Sequence, residues 1–232
     1  MRRTPRLAAC GVMALTASVA HADLQITNGN FQNNAPAANT WDVDSWFNSL
    51  PTASGQENNW WWEGTWYGPT FSPNGTSVMG LGYMFTTTHW AYQNIGVNDG
   101  GLTSLTLQFD IGSFTDAGGP RDLGVTLAIY QAPGSFIGAD DIDIVGADGV
   151  TLIDSVSLTT GPLAPGGIVT KQATLNLGTA NGTDPLFLRF VNFSTGTGEP
   201  WTAIDNIQIV PEPSAFALVA LAGFGFLIRR RV

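Results

Sequence analysis

The sequence predicts an all-β protein, a two-sheet antiparallel jelly-roll β-sandwich, flanked by an N-terminal signal-peptide helix and a single C-terminal transmembrane helix. Between Leu24 and Val210 no stretch keeps helical periodicity for more than about two turns. Alternating or continuous β-branched and aliphatic runs recur there instead. Clusters of Gly, Pro, Asn and Asp separate these runs, drawn from the 28 Gly and 13 Pro of a 232-residue chain. Eight or more short strands in one such stretch need two packed sheets to cover their apolar faces.

The clearest strand is Leu102 to Ile111. Leu105, Leu107, Phe109 and Ile111 share one face at period two, and Ser104, Thr106, Gln108 and Asp110 share the other, so one face belongs in a core and one meets solvent or a ligand. Leu123 to Tyr130 and Phe187 to Phe193 repeat the pattern. Val150 to Leu158 and Thr170 to Leu177 follow it less regularly, and Ala203 to Val210 closes the set. Turns are expected at Asp99-Gly100-Gly101, Ala117-Gly118-Gly119-Pro120, Ala147-Asp148-Gly149, Pro165-Gly166-Gly167 and Asn181-Gly182. The division is then residues 1–22, a sandwich over 23–209, and a terminal segment over 210–232.

Charge excludes one class of partner. Of nine basic residues, Arg2, Arg3, Arg6, Arg229, Arg230 and Arg231 lie at the two ends, leaving Arg121, Lys171 and Arg189 between. Residues 23–210 hold those three against 17 of the 18 acidic residues, a net of −14. Such a surface repels a phosphate backbone, so no nucleic acid is expected as a partner.

The ends read as addresses. Three arginines precede the apolar run Leu7 to Ala20, which closes in Ala20-His21-Ala22. This is the pattern of a secretory signal peptide, handled by the Sec translocon and cut by signal peptidase before Asp23. Leu7-Ala8-Ala9-Cys10 spells a lipoprotein box, but it leaves too short an apolar segment ahead of the cysteine to insert. Removing residues 1–22 removes the one cysteine of the chain, and with it disulfides, thiol catalysis and cysteine–zinc sites. At the other end Val210-Pro211-Glu212-Pro213 precedes the apolar segment 214–228, and Arg229, Arg230 and Arg231 follow. The segment is about 22 Å long as a helix. Recruiting Val210 to Pro213 and snorkelling the arginines would bring it towards the roughly 30 Å hydrocarbon core. The basic end orients it in the inner membrane with its C-terminus cytoplasmic.

This tail resembles the PEP-CTERM sorting signal: the Pro211-Glu212-Pro213 motif, a Gly- and Ala-rich apolar span and a basic end, in that order. The resemblance implies an exported bacterial protein recognised by an exosortase, a membrane-embedded transpeptidase-like enzyme with a cysteine nucleophile. Processing near Pro211-Glu212-Pro213 would turn an inner-membrane-anchored intermediate into a product at the cell surface or in the extracellular, exopolysaccharide matrix of a Gram-negative, biofilm-forming organism.

The middle of the chain resembles carbohydrate-binding-module-like and galactose-binding-like jelly rolls. The shared elements are Asn28-Gly29-Asn30-Phe31, the segment Trp41 to Trp46, Gln93-Asn94-Ile95, Phe109-Asp110-Ile111 and Ile204-Asp205-Asn206-Ile207. In some relatives a structural calcium joins the first and last strands, and Asn28, Asn30 and Asp205 are the matching polar positions here. No other cofactor is expected.

Six of the eight tryptophans fall in the segment Trp41 to Trp66, including Trp60, Trp61 and Trp62. Flat rings on a strand face suit the C–H faces of sugars, and Glu57 and Glu63 nearby can bond hydroxyls. The simpler reading is that the same rings merely seal one end of the sandwich. An extended Trp60-Trp61-Trp62 sends its outer residues to one face and Trp61 to the other. Asp140-Asp141-Ile142-Asp143 fails as an EF-hand at Val145 and Leu152 and reads as a solvated acidic turn. His89 is the one histidine after residue 22, so histidine metal clusters and a ready-made triad are absent, and it reads as structural. The leading reading is a non-enzymatic exported surface or matrix protein that binds polysaccharide through the tryptophan region. The alternatives are an exopolysaccharide-acting glycoside hydrolase using Glu57 and Glu63, and a calcium-dependent adhesion module.

Overall fold

In the computed structural model the described residues are 24–31, 45–49, 59–63, 77–81, 89–99, 101–113, 119–140, 142–193 and 202–211, with residues 59–63 and 77 described by backbone alone. They form ten strands: β1 Phe47–Asn48, β2 Asn59–Glu63, β3 Ser77–Leu81, β4 Trp90–Val97, β5 Ser104–Gly112, β6 Arg121–Gln131, β7 Thr151–Leu163, β8 Ile168–Asn176, β9 Pro185–Asn192 and β10 Thr202–Ile209. Two five-stranded sheets result, in the orders β1-β4-β9-β6-β7 and β2-β3-β10-β5-β8. All pairings are antiparallel. The two-sheet sandwich expected from alternation is therefore the fold. The signal peptide and the apolar segment 214–228 lie outside the described residues.

Alternation builds the core directly. Leu105, Leu107, Phe109 and Ile111 of β5 are buried and meet Leu123, Val125, Leu127 and Ile129 of β6 and Leu186, Leu188 and Phe190 of β9 across the sandwich. The outward residues of β5 pair across to β8, with Thr106 Oγ1 at 2.9 Å from Thr174 Oγ1 and Gln172 Nε2 donating to Gln108 Oε1 at 3.0 Å. The expected turns that fall in described residues form. Asn98 closes the β4–β5 turn by donating to Leu102 O and accepting from Leu102 N, both at 2.8 Å. Asn181 Oδ1 accepts from the Thr183 and Asp184 amides in an Asx turn.

One strand runs further than its pattern suggests. Gly161-Pro162 looks like a stop, but β7 continues to Leu163 through a bulge. Gly161 takes φ +70°, Asp122 Oδ1 accepts its amide, and Thr160 Oγ1 accepts from Leu123 N, so side chains substitute for the interrupted ladder.

The acidic segment is a correction. Residues 132–150 fold back over the outer face of the first sheet, where Phe136, Ile144 and Val150 pack with Trp90, Tyr92 and Phe187 in a second apolar cluster. The acidic residues fasten this cover. Asp140 Oδ1 accepts from Asn48 N at 2.9 Å, Tyr92 Oη donates to Ile142 O at 3.0 Å, and Asp143 forms an ion pair with Arg189. A solvated turn would make none of these contacts.

Candidate functional site

Among the described residues the tryptophan strand is the edge of the second sheet. Trp60 pairs with Gly80, Trp61 with Met79 and Trp62 with Val78. Met79 continues through Ile204 and Ile111, all buried core residues, so Trp61 occupies a core-side register position. Trp60 and Trp62 fall at the opposite parity. The Trp60 rung continues through Gly80, Ala203 and Gly112, residues that carry nothing larger than a methyl group. Glu63 ends β2 opposite Ser77, while Glu57 and Trp66 lie outside the described residues.

The rungs also fix where this strand sits along the sandwich. β5 runs from Ser104 to Gly112, and Trp60 shares a row with Gly112. Val210 N donates to Thr106 O at 2.8 Å, near the other end of β5. The tryptophan strand and the point where the chain leaves for its tail are therefore at opposite halves of the sheet.

Near that exit the first described segment meets the last strand. Ile207 N donates to Gly29 O at 2.9 Å, and a Cβ on Gly29 would stand 2.3 Å from Ile207 O, which explains a glycine there. This contact lays the turn holding Asn28 and Asn30 against the strand holding Asp205. Asp205 is fully buried and its Oδ1 accepts from Asn206 N; Asn28 is buried and Asn30 exposed. One carboxylate and two carboxamides have the chemistry a calcium ion takes but supply three of the six to eight oxygens it needs. Among the described residues no group of three His, Cys, Asp or Glu could hold a metal.

Gln93 is the residue whose role only the structure reveals. Its amide, 1% exposed, donates to Thr27 O at 2.7 Å and Ser45 O at 2.9 Å and accepts from Thr27 N at 2.9 Å. It thereby ties the leading segment and the turn before β1 to β4. Trp46, one of the six clustered tryptophans, is core: it packs on Phe31 at 5.7 Å and on Phe190 at 6.1 Å. His89 is fully buried, and desolvation lowers its pKa from 6.5 to about 4, so it is neutral at pH 7. Arg189 and Asp143 were not among the expected site residues, although a lone arginine inside Leu186-Phe187-Leu188-Arg189-Phe190 signals a buried partner.

The family description "PEP-CTERM protein-sorting motif" matches residues 210–231. Of these, Val210 and Pro211 are described; Glu212, Pro213, Arg229, Arg230 and Arg231 are not. No curated protein matches the chain by sequence. By fold, a cyclase from Fischerella sp. TAU is similar at a TM-score of 0.53 and 15% identity, covering 82% of this chain and 96% of its own. A CBM4 domain is similar at 0.45 and 14%, covering 81% and 100%. The CBM22-2 xylan-binding domain from Paenibacillus barcinonensis Xyn10C is similar at 0.43 and 11%, covering 74% and 94%. The class is a two-sheet antiparallel β-sandwich. This chain carries a C-terminal PEP-CTERM sorting motif, which marks an exported protein that is membrane-anchored before processing.

Proposed function

We propose that the protein is a non-enzymatic component of the bacterial cell surface or extracellular matrix, sorted by exosortase, whose sandwich binds polysaccharide along the β2 edge. The observation that carries the reading is the register of β2. It puts Trp60 and Trp62 at the parity opposite the core-side Trp61 position, in a row whose described members Val78, Gly80 and Ala203 are buried, on an edge strand in the half of the sheet away from the tail. A ligand bound there would be clear of the membrane during anchoring. Against catalysis by His89 stands its complete burial. Polysaccharide pull-down with residues 23–210 tests the reading. Trp60→Ala and Trp62→Ala should reduce retention without lowering the melting temperature, and Trp61→Ala should lower the melting temperature. Retention unchanged by the outer pair leaves a structural role for the tryptophans.

The calcium-dependent adhesion reading is supported by the Ile207–Gly29 contact, which brings the two candidate segments together. It requires a chelator to lower the melting temperature of the metal-loaded protein. An unchanged melting curve removes it.

A further inference from the structure

The sorting motif starts on the sheet itself. Val210, the first residue the motif matches, still donates its amide to Thr106 O at 2.8 Å. Pro211 has no N–H, so the ladder stops there. Only residues 211–214 separate Val210 from Ala215, where the apolar run begins, a reach of about 17 Å at full extension. There is almost no linker between the folded domain and the membrane segment.

The end of β10 is also a separate piece of pairing. Ala203, Ile204 and Asp205 pair with Gly112, Ile111 and Asp110; the register then shifts, and pairing resumes with Gln208 opposite Gln108 and Ile209 opposite Leu107. At the break Asn206 takes φ +52° and Ile207 gives its amide to Gly29 O rather than to β5. Ile207 is anchored in the core, whereas Gln208 is exposed and Ile209 half-buried. Residues 208–210 can therefore leave β5 without moving Ile207, uncovering two half-buried side chains, Val210 and Ile209, the latter packed against the core. Their release would extend the reach between Ile207 and Ala215 to about 27 Å.

We propose that the sandwich gates its own processing: residues 208–210 must unpair from β5 before the motif at 210–213 can enter the processing enzyme. The physical reason is competition for the same groups. An enzyme that holds an extended peptide does so through main-chain hydrogen bonds, and those of the residues at and just before the motif are engaged by β5. The device rests on the reading that exosortase removes the tail.

The test uses the full chain in its producing bacterium, with tail removal followed by intact mass at successive times. One variant carries Gln108→Cys with Gln208→Cys, an outward cross-strand pair within disulfide reach in an exported, otherwise cysteine-free domain. A second carries an eight-residue Gly/Ser spacer between Ile209 and Val210, leaving the motif intact. A third combines the two. The expected result is several-fold slower removal in the cross-linked chain, faster removal with the spacer, and recovery to at least the unmodified rate when the spacer is added to the cross-link. Equal rates in all forms overturn the gate and leave processing standing. A cross-linked chain that stays slow despite the spacer also overturns it, since the defect then lies in the sandwich. Retention of the tail in every form, the unmodified chain included, overturns the processing reading and the gate with it.

Discussion

Arg189 and Asp143 form a two-pronged ion pair across the outer face of the first sheet, with Nε to Oδ1 at 2.9 Å and Nη2 to Oδ2 at 2.5 Å. Arg189 comes from the middle of β9 and Asp143 from the loop that covers it. One of three cations in residues 23–210 is thus committed to holding down the 132–150 segment. Parallel N–H···O bonds fix orientation as well as distance.

Breaking this pair from one side should cost more than removing both partners. Asp143→Asn leaves a guanidinium that is 9% exposed without its counter-charge. Because Asp143 is 30% exposed, the loss should be about 2 kcal/mol, below the roughly 3–5 kcal/mol of fully buried pairs. Adding Arg189→Met should return part of it. Urea unfolding of the two single variants and the double variant measures the coupling, and equal, additive losses would show that the pair does not hold the loop.

Gln93 anchors the leading segment, so Gln93→Leu should free it. Three hydrogen bonds disappear, leaving Thr27 O with Trp46 Nε1 as donor and Ser45 O without the Gln93 amide, at a cost of about 2 kcal/mol. The Thr27 amide, bonded to Gln93 Oε1, should then exchange with solvent much faster than the core amides of β5 and β9. Unchanged protection at Thr27 would remove the clamp from this account.

His89 gives the fold a sensitivity to acid. Its pKa is about 4 in the folded chain and 6.5 when unfolded. Between those values the unfolded state binds more protons, so stability is full above pH 6.5 and falls as pH drops towards 4. The loss from this group is at most about 3 kcal/mol. His89→Gln should flatten that part of the curve. A melting temperature that declines equally in both proteins between pH 6.5 and pH 4 would assign the sensitivity to other groups.

The fold was legible because its signal is local. Period-two alternation in β5, β6 and β9 names the core face without any contact being known, and Gly, Pro, Asn and Asp mark the turns. β3 was not legible: Ser77-Val78-Met79-Gly80-Leu81 is short, carries an internal glycine and alternates poorly, and it becomes a strand because β10 and β2 pair with it. The true length of β7 was hidden for a related reason. Its bulge is maintained by Asp122 and Thr160, whose partners lie on another strand or across the bulge.

The candidate site divides in the same way. Tryptophan density could be read as sugar platform or as seal, and Trp46 proves to be seal, packed between Phe31 and Phe190. The Asp140–Asp143 run looked like a solvated turn because its partners, Asn48 and Arg189, are 92 and 46 residues away in sequence.

The sequence by itself determined the alternating faces, the turns and the sorting motif at 210–231, since each depends on residues close together in the chain. Tertiary structure decided which polar groups are fasteners, which end of the sandwich carries the Trp60 row, and that β10 pairs up to the first residue of the motif. Those outcomes follow from strand register, and register is set by pairing partners far apart in the chain that no local pattern specifies.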